Sequence, residues 1–187
     1  MKKINYPLLR LLICISFMGC VNDRKEPKEI YNQKANEIII QTLKGNNCNC
    51  LLEIPKESLI EIMTLANPRY DIRSSVMKQL KTKNSSNLDS LVNVSKGFSL
   101  NMVALKNNNI KIITLKELLS INGDNVKEVL KACPNGIISI RKPIFDKKYQ
   151  KAVLDYDYTF TCSKTLPLPV YEFKNEKWNL VEQKNKY

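Results

Sequence analysis

Ala152-Val153-Leu154-Asp155-Tyr156-Asp157-Tyr158-Thr159-Phe160-Thr161-Cys162 is the stretch that decides the fold. Ala152, Leu154, Tyr156, Tyr158, Phe160 and Cys162 alternate with Val153, Asp155, Asp157, Thr159 and Thr161. A period of two puts successive side chains on opposite faces, so the pattern predicts a strand with one buried and one wet face. Upstream, the polar Asp146-Lys147-Lys148 reads as a turn, and Ile137 to Ile140, just after Pro134-Asn135-Gly136, reads as a second strand. Downstream, Lys164 to Pro169 is a proline-bearing loop, and Val170 to Phe173 pairs with Lys177 to Val181 across Lys174-Asn175-Glu176 as a hairpin. Three adjacent antiparallel strands follow from this reading.

Before residue 136 the period changes. Ile30, Tyr31, Ala35, Ile38, Ile39 and Leu43 recur three and four apart, with Gly45 as a stop, which predicts an amphipathic helix over Glu29 to Lys44. A second helix carries Leu59, Ile62, Met63 and Ala66 between Pro55 and Pro68, and Ser74 and Ser75 are expected to cap a third over Val76 to Lys81. Lys83 to Asn87 reads as loop, Leu88 to Val94 as helix and Met102 to Leu105 as extended chain. Lys116 to Ile121 and Asn125 to Cys133 read as short helices. The expected class is α+β, with N-terminal amphipathic helices packed on a C-terminal antiparallel sheet: a single domain over 29–187, helix-rich over 29–135 and sheet-rich over 136–182. No repeat, EF-hand or Gly-rich phosphate loop is present, and five glycines leave little material for a nucleotide cradle.

Residues 1–19 have the parts of an export signal: Lys2, Lys3 and Arg10, an apolar run Leu11 to Met18, and Gly19 before the cut. The run is shorter than the ~20 apolar residues that a membrane span needs. Phe17-Met18-Gly19-Cys20 resembles the lipobox of bacterial lipoproteins, although Phe17 and Met18 stand where Leu and a small residue are commoner. The resemblance implies diacylglycerol, palmitate included, on Cys20 and a location at a cell envelope: the outer membrane, on its periplasmic or surface face. Each buried acyl methylene contributes about 0.8 kcal/mol, so the lipid would replace a transmembrane helix. Residues 20–28, with Pro27, read as a tether.

The leader takes three of the 30 bases and no acid, which leaves 27 against 18, a net charge of +9 over 168 residues. The lysines are spread along the chain without interleaved aromatics, which argues against nucleic acid; an acidic polymer, an envelope protein or anionic lipid is the partner class the charge suits, and a merely solvated lysine surface is the favoured reading. The chain has no His. That removes Ser-His-Asp and Cys-His chemistry, His-ligated zinc and the histidine pH switch at once. Four cysteines remain beyond Cys14 and Cys20, namely Cys48, Cys50, Cys133 and Cys162. A bridge between Cys48 and Cys50 would be strained, so long-range pairing is favoured, with three connectivities open. Buried free thiols rank second and a metal last, because C-x2-C and His spacings are missing. No cofactor is called for.

Gly136-Ile137-Ile138-Ser139-Ile140-Arg141-Lys142-Pro143-Ile144-Phe145-Asp146, Lys151-Ala152-Val153, the aromatic strand into Cys162, and Glu176-Lys177-Trp178-Asn179-Leu180 resemble a module of small uncharacterised lipoproteins of Bacteroidota-type bacteria. The resemblance covers about residues 110 to 181 and implies a compact antiparallel sheet of unknown function. The chain departs from the module at Lys164 to Leu166, where the family often carries a second Cys, and at Glu176, where it carries Gly.

Three constellations are candidate sites. Asp155 and Asp157 would lie about 7 Å apart on one strand face. Neighbours on one exposed face share an environment, whereas hydrolysis needs opposed carboxylates in different ones, so a solvated pair is the expectation. Arg141, Lys142, Lys147, Lys148 and Lys151 form the densest basic stretch, either an anion-binding patch or a charged loop, and the loop is favoured. Tyr156, Tyr158, Phe160, Tyr171, Phe173 and Trp178 would line a groove or fill the core, and the core is favoured. The expected function is that of a lipid-anchored, non-enzymatic binding or accessory protein. The alternatives are a carboxylate-dependent hydrolase and a small-molecule carrier.

Overall fold

The structure is a computed structural model that describes residues 26–45, 48–121, 126–159 and 168–181. Cys20, Phe160 and Cys162 lie outside the described residues, as do the side chains of Asp157 and Tyr158. The α+β class holds, with a C-terminal antiparallel four-stranded sheet under N-terminal helices.

Helix α1, Pro27–Gly45, buries Tyr31, Ala35, Ile38, Ile39 and Leu43. Each large apolar side chain buried in this way contributes about 1.5–3 kcal/mol. The chain then forms β1, Cys50–Leu52, and four helices: α2, Leu59–Ala66; α3, Ile72–Leu80; α4, Ser85–Lys96; and α5, Met102–Asn107. Strand β2, Lys111–Ile113, precedes α6, Leu115–Ser120, and α7, Val126–Ala132. Six strands follow: β3, Ile137–Ile140; β4, Ile144–Phe145; β5, Lys151–Val153; β6, Tyr156–Thr159; β7, Val170–Lys174; and β8, Lys177–Val181.

Two sheets result. The antiparallel one has the order β4-β5-β7-β8, and β5, β7 and β8 are the three adjacent strands expected from the sequence. The other has the order β2-β1-β3-β6, in which β1 is parallel to both β2 and β3 while β6 is antiparallel to β3. Residues 152 to 162 are therefore not one strand of one sheet. Val153 ends β5 in the antiparallel sheet, and Tyr156 begins β6 in the mixed one. The crossing is built from backbone bonds: Leu154 N–H donates to Pro169 O at 3.1 Å, and Arg141 N–H donates to Asp155 O at 2.9 Å.

The partner chain crosses at the same place. Ile140 faces Tyr156 and Ile144 faces Val153, so Arg141, Lys142 and Pro143 stand opposite only Leu154 and Asp155. One long hairpin thus threads both sheets and carries an extra residue at its bend, the count that defines a β-bulge. Pro143 fits there because it has no N–H to give a ladder, and it forces Lys142 before it into extended geometry.

The core takes both faces of the chain over residues 152 to 156, and the wet face expected at Val153 and Asp155 is buried, because helices cover the antiparallel sheet on its second side. Leu51, Ile138 and Ile140 of the mixed sheet share one cluster under α1 with Phe145, Ala152, Tyr171 and Trp178 of the antiparallel sheet. On the opposite face of the antiparallel sheet, Ile144 and Val153 pack with Leu59, Ile72, Val76, Leu80 and Leu88 of α2, α3 and α4. On the opposite face of the mixed sheet, Cys50, Ile113 and Ile137 meet Val129 and Cys133.

Three helix expectations change. Residues 85 to 87 belong to α4 and not to a loop, because Asn84 caps that helix by accepting from Ser86 N–H at 2.9 Å. Helix α3 starts at Ile72 and its cap is Asp71, whose carboxylate accepts from Ser74 N–H at 3.0 Å, so Ser74 and Ser75 lie inside the helix. Residues 102 to 105 are helical rather than extended, because Asn101 accepts from Ala104 N–H at 2.9 Å and nucleates α5.

A cleft at the carboxyl ends of the parallel strands

Strands β2, β1 and β3 run the same way, so their carboxyl ends share one edge of the sheet. From β1 the chain leaves toward β2 on one side and later returns to β3 on the other. Sheets of parallel strands characteristically bind ligands at such a divergence, since two loops part there and leave a crevice. A cleft of about 370 Å³ lies at this place. Glu53, Ile54, Pro55 and Lys56 from the loop after β1 form one wall, Lys96, Phe98 and Leu100 at the end of α4 form another, and Ile112 of β2 and Lys142 complete it.

Lys142 is the extra residue region of the bulge, and every group around it is held. The Tyr31 hydroxyl donates to Pro143 O at 2.8 Å, tying the bulge to α1. Burial pushes the Tyr31 phenol far above its usual range, Tyr149 adds to the shift, and a hydrogen bond with Ser95 opposes it. Arg141 Nη1 meets Asp155 Oδ2 at 2.5 Å across the hairpin. Lys142 itself is 5% exposed, and its Nζ donates to the carbonyl of Lys56. An ammonium carries three donors, and that carbonyl is its one hydrogen-bond acceptor among the described residues. Burial lowers the Lys142 pKa. Glu57 and Glu61 oppose that shift, and the charge of Lys96 adds to it.

The opposite wall is fixed by helix capping. Ser58 Oγ accepts from Glu61 N–H at 3.2 Å while Glu61 Oε2 accepts from Ser58 N–H at 2.8 Å, a reciprocal capping box at the start of α2. These bonds from Ser58, with Lys96 as a smaller contributor, hold the Glu61 carboxyl down at about 2. Lys96 Nζ lies 3.4 Å from Glu61 Oε1.

A neighbouring cleft of about 540 Å³ shares Leu100 and is lined by Asn32, Asn36, Ser99 and Asn101. Its amides are already used. Asn32 Oδ1 accepts from Ser99 N–H at 2.7 Å, Asn36 Oδ1 from Asn101 N–H at 2.6 Å, and Asn36 Nδ2 donates to Ser99 O at 3.0 Å. One turn apart on α1, these two residues fasten the 97–101 loop that walls the Lys142 cleft.

The five bases of the 141–151 stretch do not converge. Arg141 pairs with Asp155, Lys142 is buried at the cleft, Lys151 meets Glu172 at 2.8 Å, and Lys147 and Lys148 project from the turn into solvent. Asp155 is buried at the bend, not on a wet strand face, and bonds Arg141, while the side chain of Asp157 lies outside the described residues. Tyr156, Tyr171 and Trp178 are core residues and Phe173 is half-buried, in keeping with the core reading of the aromatic set.

Cys50 and Cys133 form a disulfide that joins β1 to the end of α7. Cys48 is disulfide-bonded as well, to a partner outside the described residues. The described residues contain no group of three or more His, Cys, Asp or Glu side chains placed to hold a metal, and no helix among them is long and apolar enough to cross a membrane. Compared with known proteins, the chain matches no family model, no curated protein and no solved structure.

Lys142 stands out in the sequence only as one of five neighbouring bases, and its burial is not legible there because burial of a lysine leaves no periodic trace. The one local sign was Arg141-Lys142-Pro143 interrupting two apolar runs, a proline inside strand-like chain, which marks a bulge or an edge.

Proposed function

We propose that this chain is a lipid-anchored binding or accessory protein of a bacterial envelope, held by Cys20 and presenting the cleft between the loops after β1 and β3. The observation that carries the binding half is Lys142: a nearly buried ammonium with one acceptor, lining a crevice at the carboxyl ends of parallel strands. Retaining such a group in an apolar setting costs stability, which is the usual mark of a ligand site. The anchor half rests on Gly19-Cys20 after the apolar leader, and the three disulfide-bonded cysteines among the described residues, Cys48, Cys50 and Cys133, suit an oxidising compartment. The small-molecule alternative thereby moves from the aromatic sheet face to this cleft.

Replacing Cys20 with Ser in the full chain, expressed in a bacterium, tests the anchor. The expected result is loss of detergent-phase partitioning and accumulation of an uncleaved precursor. Unchanged partitioning and processing would overturn it.

A further inference from the structure

We infer that the Lys142 cleft takes a small monocarboxylic acid with an apolar body, its carboxylate on Lys142 Nζ and its body against Phe98, Leu100 and Ile112. The inference rests on the binding half of the proposal above and is independent of the anchor. Three features select this chemistry. Lys142 offers two N–H donors beyond the one spent on Lys56 O, and a carboxylate presents acceptors for both with a single charge. The walls supplied by Ile54, Pro55, Phe98, Leu100 and Ile112 are apolar, so the rest of the ligand gains by being so too. Three lysines, Lys56, Lys96 and Lys142, line the cleft against one acid, Glu53, and Lys96 is paired with Glu61 at 3.4 Å, so a single positive charge is left to attract one negative charge. A phosphate would bring a second charge past Glu53 into an apolar crevice, with one buried ammonium to meet it. The volume, about 370 Å³, is at the small end of ligand sites and suits an acid of roughly ten non-hydrogen atoms.

Binding should also relieve the strain on Lys142. A bound carboxylate favours the charged ammonium, so the pKa that burial lowers in the free protein is expected to rise in the complex. By linkage, affinity is highest while Lys142 is protonated and falls as pH rises through its value in the complex.

The test uses the full chain in nanodiscs of zwitterionic phosphatidylcholine, with 4-fluorophenylacetate as probe and ¹⁹F NMR as readout, empty nanodiscs serving as the blank. Saturable broadening beyond the blank is expected, with at least a tenfold loss of affinity for Lys142→Met and for the methyl ester of the probe, and no competition from equimolar inorganic phosphate. Lys142→Met is expected to melt no lower than the parent, because it removes a buried charge. Should that variant not fold, Leu100→Trp fills the same cleft from a half-buried position and is expected to abolish binding. Equal binding of acid and ester, signal no greater than the blank, competition by phosphate, or undiminished binding by either folded variant would overturn the inference. None of these outcomes touches the anchor, which the Cys20→Ser variant tests separately.

Discussion

Among the described residues the two sheets have four strands each, and the edges of the antiparallel one are treated differently from the β2 edge of the mixed one. In the antiparallel sheet, β8 is an edge strand, and α1 closes it: Gln41 Oε1 accepts from Trp178 N–H at 2.9 Å while Gln41 Nε2 donates to Trp178 O. One side chain thus stands in for a neighbouring strand. Helix α4 packs on β4, the other edge. In the mixed sheet, β2 bonds β1 through its odd-numbered residues, with Lys111 N–H donating to Asn49 O at 2.7 Å and Glu53 N–H to Ile113 O at 2.8 Å. The backbone of Ile112 therefore faces away from the sheet, and its side chain lines the Lys142 cleft. Closing edges makes a platform that resists unwanted pairing; the sheet left open carries the crevice.

Both sheets are packed into the core, and each has a further tie: an aromatic cluster for the antiparallel sheet and a covalent link for the mixed one. Phe145 stacks at a 5.5 Å ring separation on Trp178 and 5.4 Å from Tyr31, edge-on in the latter case, so α1 and β8 share one aromatic cluster. Among the described residues no such ring cluster is centred on the mixed sheet, which has the Cys50–Cys133 bridge, with a sequence separation of 83. Closing a loop of that length removes denatured-state entropy worth about 4 kcal/mol. Cys133→Ala is accordingly the change of largest expected effect, about 4 kcal/mol by denaturant unfolding under oxidising conditions. Amide exchange should speed most in β1, β2 and β3. Equal loss of protection in β7 and β8 would show that the two sheets do not differ in what holds them.

Gln41→Ala probes the other side of the comparison. It leaves the N–H and C=O of a buried tryptophan without their partner and opens the β8 edge, for an expected loss of about 1–3 kcal/mol. Exchange should rise at Trp178 and leave β1 to β3 unchanged. A variant as stable as the parent would mean that water serves the edge as well as Gln41 does, and the contrast between closed and open edges would lose its energetic content.

Much of the antiparallel sheet was legible in the sequence. Its hairpin was readable because Val170 to Val181 places every cue locally: alternation, a short polar turn, and alternation again. The turn adopts left-handed geometry at both Asn175 and Glu176, with φ of 52° and 61°, as a two-residue hairpin of this hand requires. Asn175 suits that geometry and Glu176 does not, which is why the turn position was clear and its conformation was not. The mixed sheet was not readable. Strands β1 and β2 are three residues each, Cys50–Leu52 and Lys111–Ile113, too short to show a period, and their pairing joins residues 61 positions apart. The alternation in the sequence runs straight through the crossing, because it carries no mark of which sheet supplies the neighbours or of the helices that bury Val153 on the second face. Lys142 shared this fate. Its identity as a base was plain, and its burial depended on Lys56 and Tyr31, 86 and 112 residues away from the groups they meet.

The smallest predicted effect concerns acid. Glu172 lies opposite Lys151 across β5 and β7, with Lys151 Nζ at 2.8 Å and Lys174 Nζ at 2.5 Å. Hydrogen bonds from these two ammonium groups, Lys151 first, hold its carboxyl at about 2 in the folded protein, against 4.5 for the free group. A carboxyl whose folded pKa is depressed contributes stability that is fully present above the unfolded value and is lost as pH falls through the folded one. The window therefore runs from about 4.5 down to about 2. The lysines are partly solvated, Lys174 most of all, so the pair is worth only about 1 kcal/mol at neutral pH, and less in high salt. Glu172→Gln should thus be slightly less stable than the parent at pH 7, and the two denaturation midpoints should converge as pH drops toward 2. A gap that persists at pH 2 would assign the effect to packing of β5 on β7, and the antiparallel sheet would then owe its stability to apolar contact alone, sharpening its contrast with the sheet that depends on a disulfide.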